Sequence, residues 1–377
     1  LNFKFNLSGC VATLLLTLAT SLWTFWGVGE MYYEGWWGAW TNRLPYLVPM
    51  FVCWTFAFVA LTWPQFGGWI IFFVGGVFTV WRWNLQARHG DLTLIWALSW
   101  FPVSAIFILI GMLFILDGLY RSQQRTAGWQ PSKQWWQRYM RYLVAFIPSL
   151  LIVIGVTVFF VPLLSSRYDD GNRGGRLIEG HGVSLIWAPA GPGWSGGVNS
   201  SQGAGQLLPG ANLSWNEIAY YGVPPVGYGE KPGGKNRDAT EVDMQTTGLC
   251  RYLSPDGTAL ASEPVGIWRM PTTGEIVRSL VRGGENAGCV WDGQSGSVDC
   301  DRQPNKDTPL WDPNASPIYY YSGEAYDQDS AWVVPYTGGG IYGGMIGGQS
   351  KNGGNSRHGF RCVREPWLQG DQHGTED

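Results

Sequence analysis

Charged residues are scarce in this chain, 14% of 377 residues, and they are missing altogether from its five longest apolar runs. The runs are Gly9–Gly27, Tyr46–Trp63, Phe66–Trp81, Leu92–Leu116 and Leu143–Leu164, with Arg82, Asp91 and Asp117 standing just outside them. Transporters, proton relays and voltage sensors bury ionisable groups deep in their spans, so this absence disfavours all three. Histidine is rarer still. Of the four in the chain, His89 is alone near the runs and sits in a loop, which leaves no mid-membrane ligand for haem iron or a chlorophyll magnesium. A net charge of −3 gives no basic footprint, so no nucleic-acid partner is expected.

What the first 165 residues do contain is enough apolar length for a multi-pass helical membrane domain of about five helices, each needing roughly 20 apolar residues to cross. The third run is short, and Pro64-Gln65 leaves almost no loop before it. If runs two and three were one re-entrant element, the count would change. The first run has one early cation, Lys4, lacks a small-residue cleavage motif and is followed by further spans, so it reads as an anchor. Arg121, Arg125, Lys133, Arg138 and Arg141 occur without an intervening acid, and such loops stay cytoplasmic. Five spans then put the N-terminus in the cytoplasm and everything after Leu164 in the periplasm or outside the cell.

Tryptophan is abundant, 23 residues, and many sit at run ends (Trp36, Trp37, Trp40, Trp63, Trp81, Trp83, Trp129, Trp135, Trp136), as an aromatic belt would place them. A lipid, quinone or pigment contact surface is the sharper alternative, and Tyr32 to Trp40 could form a short interfacial helix. Gly68 and Gly75, seven residues apart, share a helix face and permit close packing. The partners expected of this half are membrane lipids and other membrane-protein subunits.

The second half is rich in glycine. Residues 166–183 read as a linker, and 193–210 as a flexible or irregular loop. Asp169-Asp170-Gly171-Asn172 resembles a calcium loop slightly but lacks the later ligands and a bidentate Glu. Ser214…Glu217 and Thr272…Glu275 have capping-box spacing and mark two helix starts. The second helix would carry Ile276, Val277, Leu280 and Val281 and stop at Gly283-Gly284. A further helix would end near Cys250 to Leu253. Ile318–Ser322, Ala331–Tyr336 and Gly359–Arg364 read as strands, giving an α+β domain with antiparallel strands. Cys250, Cys289, Cys300 and Cys362 form an even set, which outside the cytoplasm means disulfides. Three connectivities exist; the close spacing favours Cys289 with Cys300, leaving Cys250 for Cys362. Zinc is the rival, but the spacing is long and His358 is the one nearby imidazole. Cys10 and Cys53 lie in spans as small apolar residues.

Ile267-Trp268-Arg269-Met270-Pro271-Thr272 with Glu275 resembles the W-R-L-P-T-x-x-E signature of the collagen-like adhesin C-terminal (Lcl C-terminal) family. Tyr319-Tyr320-Tyr321-Ser322 with Glu324, Ala331-Trp332-Val333-Val334 and Gly359-Phe360-Arg361-Cys362-Val363-Arg364 are similar to its later blocks in the same order. The resemblance covers residues 184–365, leaves 366–377 as a polar tail, and shares its first and last blocks with the formylglycine-generating (sulfatase-modifying) family. It implies a C-type-lectin-like fold, a disulfide from an early helix to the final strand, and binding of glycans or protein surfaces. Calcium-dependent sugar binding is not implied, because the nearest strings to the family motifs are Glu263-Pro264-Val265 and Trp291-Asp292-Gly293. Nor does the chain carry the copper-binding cysteine pair of formylglycine-generating oxidases, since Ser350 to His358 holds no cysteine.

Asp299, Asp301, Asp307 and Asp312 could supply a general acid and base, although solvated loop charges are commoner. His181 and His358 lie far apart in sequence with no nucleophile elbow, and Gly338 to Gly348 has no P-loop lysine. Candidate binding residues are Trp311, Tyr326, Trp332, Tyr336, Tyr342 and Arg357, by the preference of interfaces for Tyr, Trp and Arg. The competing reading makes Trp268, Trp291, Trp311 and Trp332 the domain core. These observations point to a non-enzymatic membrane protein, an accessory or assembly subunit; a surface receptor or adhesin binding a glycan or protein is the alternative, and an oxidase the least supported. No cofactor is expected, and calcium is left open.

Overall fold

The computed structural model describes residues 6–37, 39–88, 93–127, 135–189, 213–224, 226–227, 237–315, 317–340, 344–353 and 357–366. The chain divides into two compact units, Leu1–Gly35 with Trp40–Val161, and Trp36–Ala39 with Pro162–Asp377.

The first unit is built of α1 (Leu7–Tyr33), α2 (Leu44–Thr62), α3 (Pro64–Arg88), α4 (Leu94–Ser99), α5 (Ile106–Thr126) and α6 (Trp135–Ser165), the last few residues of α6 belonging to the second unit. Among the described residues, five helices are long and apolar enough to cross a membrane. The short third run lies in a 25-residue helix, because α3 continues through Arg82 to Arg88. Pro64 opens α3, where a missing N–H costs nothing, so runs two and three form two separate helices. The expected span Leu92–Leu116 is corrected: α4 ends at Ser99, residues 100–105 form turns, and the long helix starts at Ile106. Pro102 explains the break, since it offers no N–H and disfavours helical geometry at Phe101. Tyr32 and Tyr33 finish α1 instead of opening an interfacial helix, and a short 3-10 turn, Trp40–Arg43, precedes α2.

Small residues bring these helices together. A Cβ on Gly68 would lie 2.7 Å from the Ile115 nitrogen, and one on Gly75 would lie 2.6 Å from the Phe107 Cβ, so α3 and α5 touch backbone to backbone. Gly111 returns the contact, 2.8 Å from the Phe72 Cα. Without a hydrophobic drive between lipid-embedded helices, such close approach is what dispersion requires. The buried layer is accordingly small-sided, with Ala12, Ala19, Ala57, Ala60 and Ala145 beside Leu16, Ile71 and Phe114. Among the described residues one charge is fully buried there: Asp117 on α5 meets Arg121 at 2.7 Å and Arg141 of α6 at 2.9 Å, and accepts from the Asn6 amide.

The second unit begins with an antiparallel pair, β1 (Arg176–Gly180) and β2 (Val183–Trp187), then α7 (Trp215–Ala219), α8 (Glu241–Thr247) and α9 (Thr273–Arg278). Both expected capping boxes are formed, and α8 has a third, in which Asp243 takes the place of Glu opposite Thr240. After α9 come β3 (Val281–Arg282), β4 (Glu285–Asn286), β5 (Cys289–Val290), β6 (Asp299–Cys300), β7 (Tyr319–Ala325), β8 (Ser330–Pro335), β9 (Gly347–Ser350), β10 (His358–Gly359) and β11 (Val363–Arg364). They form sheets ordered β1-β2-β11 and β10-β7-β8-β9, and the hairpins β3-β4 and β5-β6.

Three expectations are corrected. Val281 is in a strand, because Gly283 and Gly284, at φ +64° and +83°, make a tight hairpin turn that only such residues adopt readily. The pairing is not purely antiparallel: β10 runs parallel to β7, which is possible because β8 and β9 lie between them in the chain and no tight turn joins the pair. Residues 166–183 are not a loose linker but structured chain. Tyr168 N–H donates to Asp307 at 2.8 Å, Thr308 N–H donates to the Tyr168 carbonyl at 3.1 Å, and β1 follows. Asp169 and Asp170, the calcium-loop carboxylates, instead pair with Arg173 and Arg176, both at 2.7 Å.

Cys250 is bonded to Cys362 and Cys289 to Cys300, the latter directly across the β5-β6 hairpin. The first bridge lies in the core with Trp215, Ile218, Tyr252, Trp268, Tyr321, Val333 and Phe360.

Candidate functional site

Two of the expected binding residues lie in the interior. Trp311 is 1% exposed and stacks on Tyr320 with centroids 3.7 Å apart; Tyr336 is 3% exposed and meets Trp311 and Trp37 edge-on. The reason is a ring of aromatic and cationic groups that fills this part of the core. The Arg167 guanidinium at 4.3 Å and the Lys306 side-chain nitrogen at 4.4 Å both lie over the Trp37 ring. Burial drives the Lys306 amine well below its ordinary range, and its nitrogen donates to the Ala315 carbonyl. Arg361 is buried too and is pushed down to about 10 by desolvation; its guanidinium holds the carbonyls of Ala188, Pro309 and Leu310. These cations fasten loops together.

Of the remaining candidates, Arg357 is half-buried, and its carbonyl accepts the Ile318 and Tyr319 N–H groups at 2.9 and 3.0 Å. Tyr342 lies outside the described residues, as do the loop at 193–210 and residues 367–377 of the tail. Asp307 accepts from the Tyr168 and Gly283 N–H groups, and burial raises its pKa; Asp312 meets Arg173 at 3.2 Å. Among the described residues, no three His, Cys, Asp or Glu side chains gather closely enough to hold a metal ion.

Tyr326 and Trp332 do come together, and a third ring joins them. Trp332 lies on β8 between Ala331 and Val333, which point inward and are buried, so pleating turns its indole outward. Tyr326, 44% exposed, sits in the β7-β8 turn with its ring 4.6 Å from Trp332 at 81°. Trp291, just after β5, reaches the same indole at 5.2 Å and 80°. Both contacts are edge-to-face, the arrangement the ring quadrupole favours. No family model, curated protein or solved structure matches the chain. What the three rings can bind is set by their own geometry and rim.

That geometry is fixed from below. Gly348 of β9 pairs with Trp332, and a Cβ on it would come within 2.8 Å of the Tyr326 ring, so a bare backbone is what lets the ring settle. Trp291 donates its indole N–H to the Gln294 carbonyl at 2.7 Å, and Ser295 donates to the Tyr326 hydroxyl at 3.3 Å. Under the β7-β8 turn, the buried Lys351 ammonium donates to the carbonyls of Asp327 and Gln328, both at 2.9 Å, and lies 5.1 Å from the Trp215 ring. Asp292, Gln294, Asp327, Gln328 and Asp329, which flank Trp291 and Tyr326 in the chain, are exposed and polar. Apolar rings within a polar rim, held without needing the ligand, are the usual anatomy of a recognition surface.

Trp291 and Lys351 have no motif in the sequence that marks them. Trp291 reads equally well as core, and only the closure of the Cys289–Cys300 hairpin brings it to Trp332.

Proposed function

We propose that the chain is a non-enzymatic integral membrane protein, an accessory or assembly subunit of a membrane complex. Its N-terminus lies in the cytoplasm, and its second unit is a C-type-lectin-like module held in the periplasm or outside the cell. The observation that carries the reading is the Trp291–Tyr326–Trp332 cluster, a preorganised docking surface contributed by two hairpins. The lectin-like assignment draws support from the Cys250–Cys362 bridge, which ties the helical segment to the last strands. Support also comes from Arg269, whose guanidinium clasps Glu275 at 2.7 Å and Glu365 at 2.6 Å and so ties the first resembling block to the residue that follows the last.

The test compares wild type, Tyr326→Ala and Trp332→Ala, each purified at full length from its native membrane in mild detergent. Wild type is expected to carry a defined membrane-protein partner, and each variant to lose at least about tenfold of that affinity, as loss of a hot-spot aromatic does. A solitary wild-type protein overturns the assembly role.

The same cluster favours a second reading, a glycan receptor. A pyranose presents an apolar C–H face that suits an indole, and its hydroxyls suit the amides and carboxylates of the rim. Binding of the full chain to arrayed glycans, lost in Trp332→Ala, would select it; a blank array removes it.

A further inference from the structure

We infer that the outward face of α3 is a binding groove for one anionic phospholipid, with the headgroup phosphate at Arg88. The groove has a volume of about 560 Å³ and is lined by Phe72, Phe73, Gly76, Val77, Val80 and, at one end, Asn84 and Arg88. Its opposite face is committed, since Gly68 and Gly75 are pressed against α5. Phe73, Val77, Val80, Asn84 and Arg88 follow the helical repeat along a single stripe, apolar for its first three members and polar for its last two. Gly76 has nothing within 4 Å of where a Cβ would stand, so its missing side chain opens the floor of the groove.

The charge at the end selects the occupant. Arg121 and Arg141 are both paired with Asp117, whereas among the described residues no carboxylate is paired with Arg88. Its Nε donates to the Asn84 Oδ1 at 2.8 Å, which orients the guanidinium and leaves its outer nitrogens for a phosphate, the planar fork's best partner. From Phe72 to Arg88 the helix rises about 24 Å, close to the roughly 20 to 22 Å of one leaflet with its headgroups. An acyl chain on the aromatic and valine stretch therefore brings its own phosphate to Arg88. A net anionic headgroup such as phosphatidylglycerol is preferred over phosphatidylcholine because its phosphate is not neutralised by a cation of its own.

This inference rests on the membrane reading, and the two can fail separately. The full chain in mild detergent is titrated with phosphatidylglycerol and with phosphatidylcholine, and retained lipid is counted by native mass spectrometry. Wild type is expected to prefer phosphatidylglycerol by about fivefold, the usual effect of one interfacial arginine. Arg88→Gln should bring the preference near unity with lipid still retained, and Gly76→Leu, facing open space, should reduce retention of both lipids. Equal retention of the two lipids by wild type, or an unchanged preference in Arg88→Gln, overturns the groove. So does a partner helix that covers this face and excludes both lipids. A chain that stays monodisperse without detergent overturns the membrane reading itself.

Discussion

In the helical unit, helix meets helix where residues have no side chain, whereas the core of the second unit is filled by the largest side chains in the chain. Gly68, Gly75 and Gly111 let α3 and α5 meet at backbone distance; Trp37, Trp311, Tyr320 and Tyr336 fill a core by ring on ring. The difference follows from the solvent each unit is built for. Among lipid tails, burying a large apolar side chain gains little, so close approach decides the packing. In water, an aromatic ring removes a large area from solvent and dominates the core. Buried charge divides the same way: Asp117 is satisfied by two arginines, whereas Lys306 and Arg361 are satisfied by carbonyls and rings.

The sharpest way to break this comparison is to remove the covalent staple. Replacing Cys250 and Cys362 by Ala opens a loop of 112 residues and should cost the second unit about 4 to 5 kcal/mol, leaving helix content in the first unchanged. Thermal unfolding in detergent, followed by near-UV and far-UV dichroism, reads the two separately; equal losses in both would mean that they are one cooperative body.

Acid should separate the units next. His358 is buried between Tyr319 and Tyr321, and desolvation pushes it down to about 4 from 6.5. Between those values the unfolded chain takes up a proton that the folded one refuses, so its contribution is complete above about pH 6.5 and is lost as pH falls toward 4. The full loss is about 3 kcal/mol. His358→Phe should flatten the pH dependence of the second unit's unfolding; an unaltered profile would place the acid sensitivity elsewhere.

A smaller effect tests the helical side. Asp117→Asn leaves Arg121 and Arg141 without their carboxylate and should cost the first unit about 2 kcal/mol, less than a fully buried pair because both arginines are partly exposed. Urea unfolding in detergent should show the shift in helix loss alone.

Much of this architecture could be read from the residues in order. Helix starts at Ser214 and Thr272 were readable because a capping box is a three-residue event, complete within its own segment. Apolar spacing alone carries the helix after Thr272 on to Val281, because it cannot distinguish a last helical turn from a first strand, and the paired left-handed glycines decide it. Sequence order leaves Tyr336 among the candidate binding residues, and Trp311 divided between core and binding surface, for a related reason. Their burial depends on Trp37, some 270 to 300 positions earlier, and on two cations that no local pattern couples to them.

By itself, the order of residues determined the five apolar helices, the capped helix starts of the second half and an even cysteine set, because length, hydropathy and capping act within a few turns of chain; the opening pair β1-β2 escaped it. The tertiary structure alone decided which aromatics are core and which gather at the surface. Trp291, Tyr326 and Trp332 become one site only when a disulfide-closed hairpin, a turn held by Lys351 and a strand flanked by a glycine meet in space. Ring burial is a sum over distant neighbours, and no stretch of sequence contains that sum.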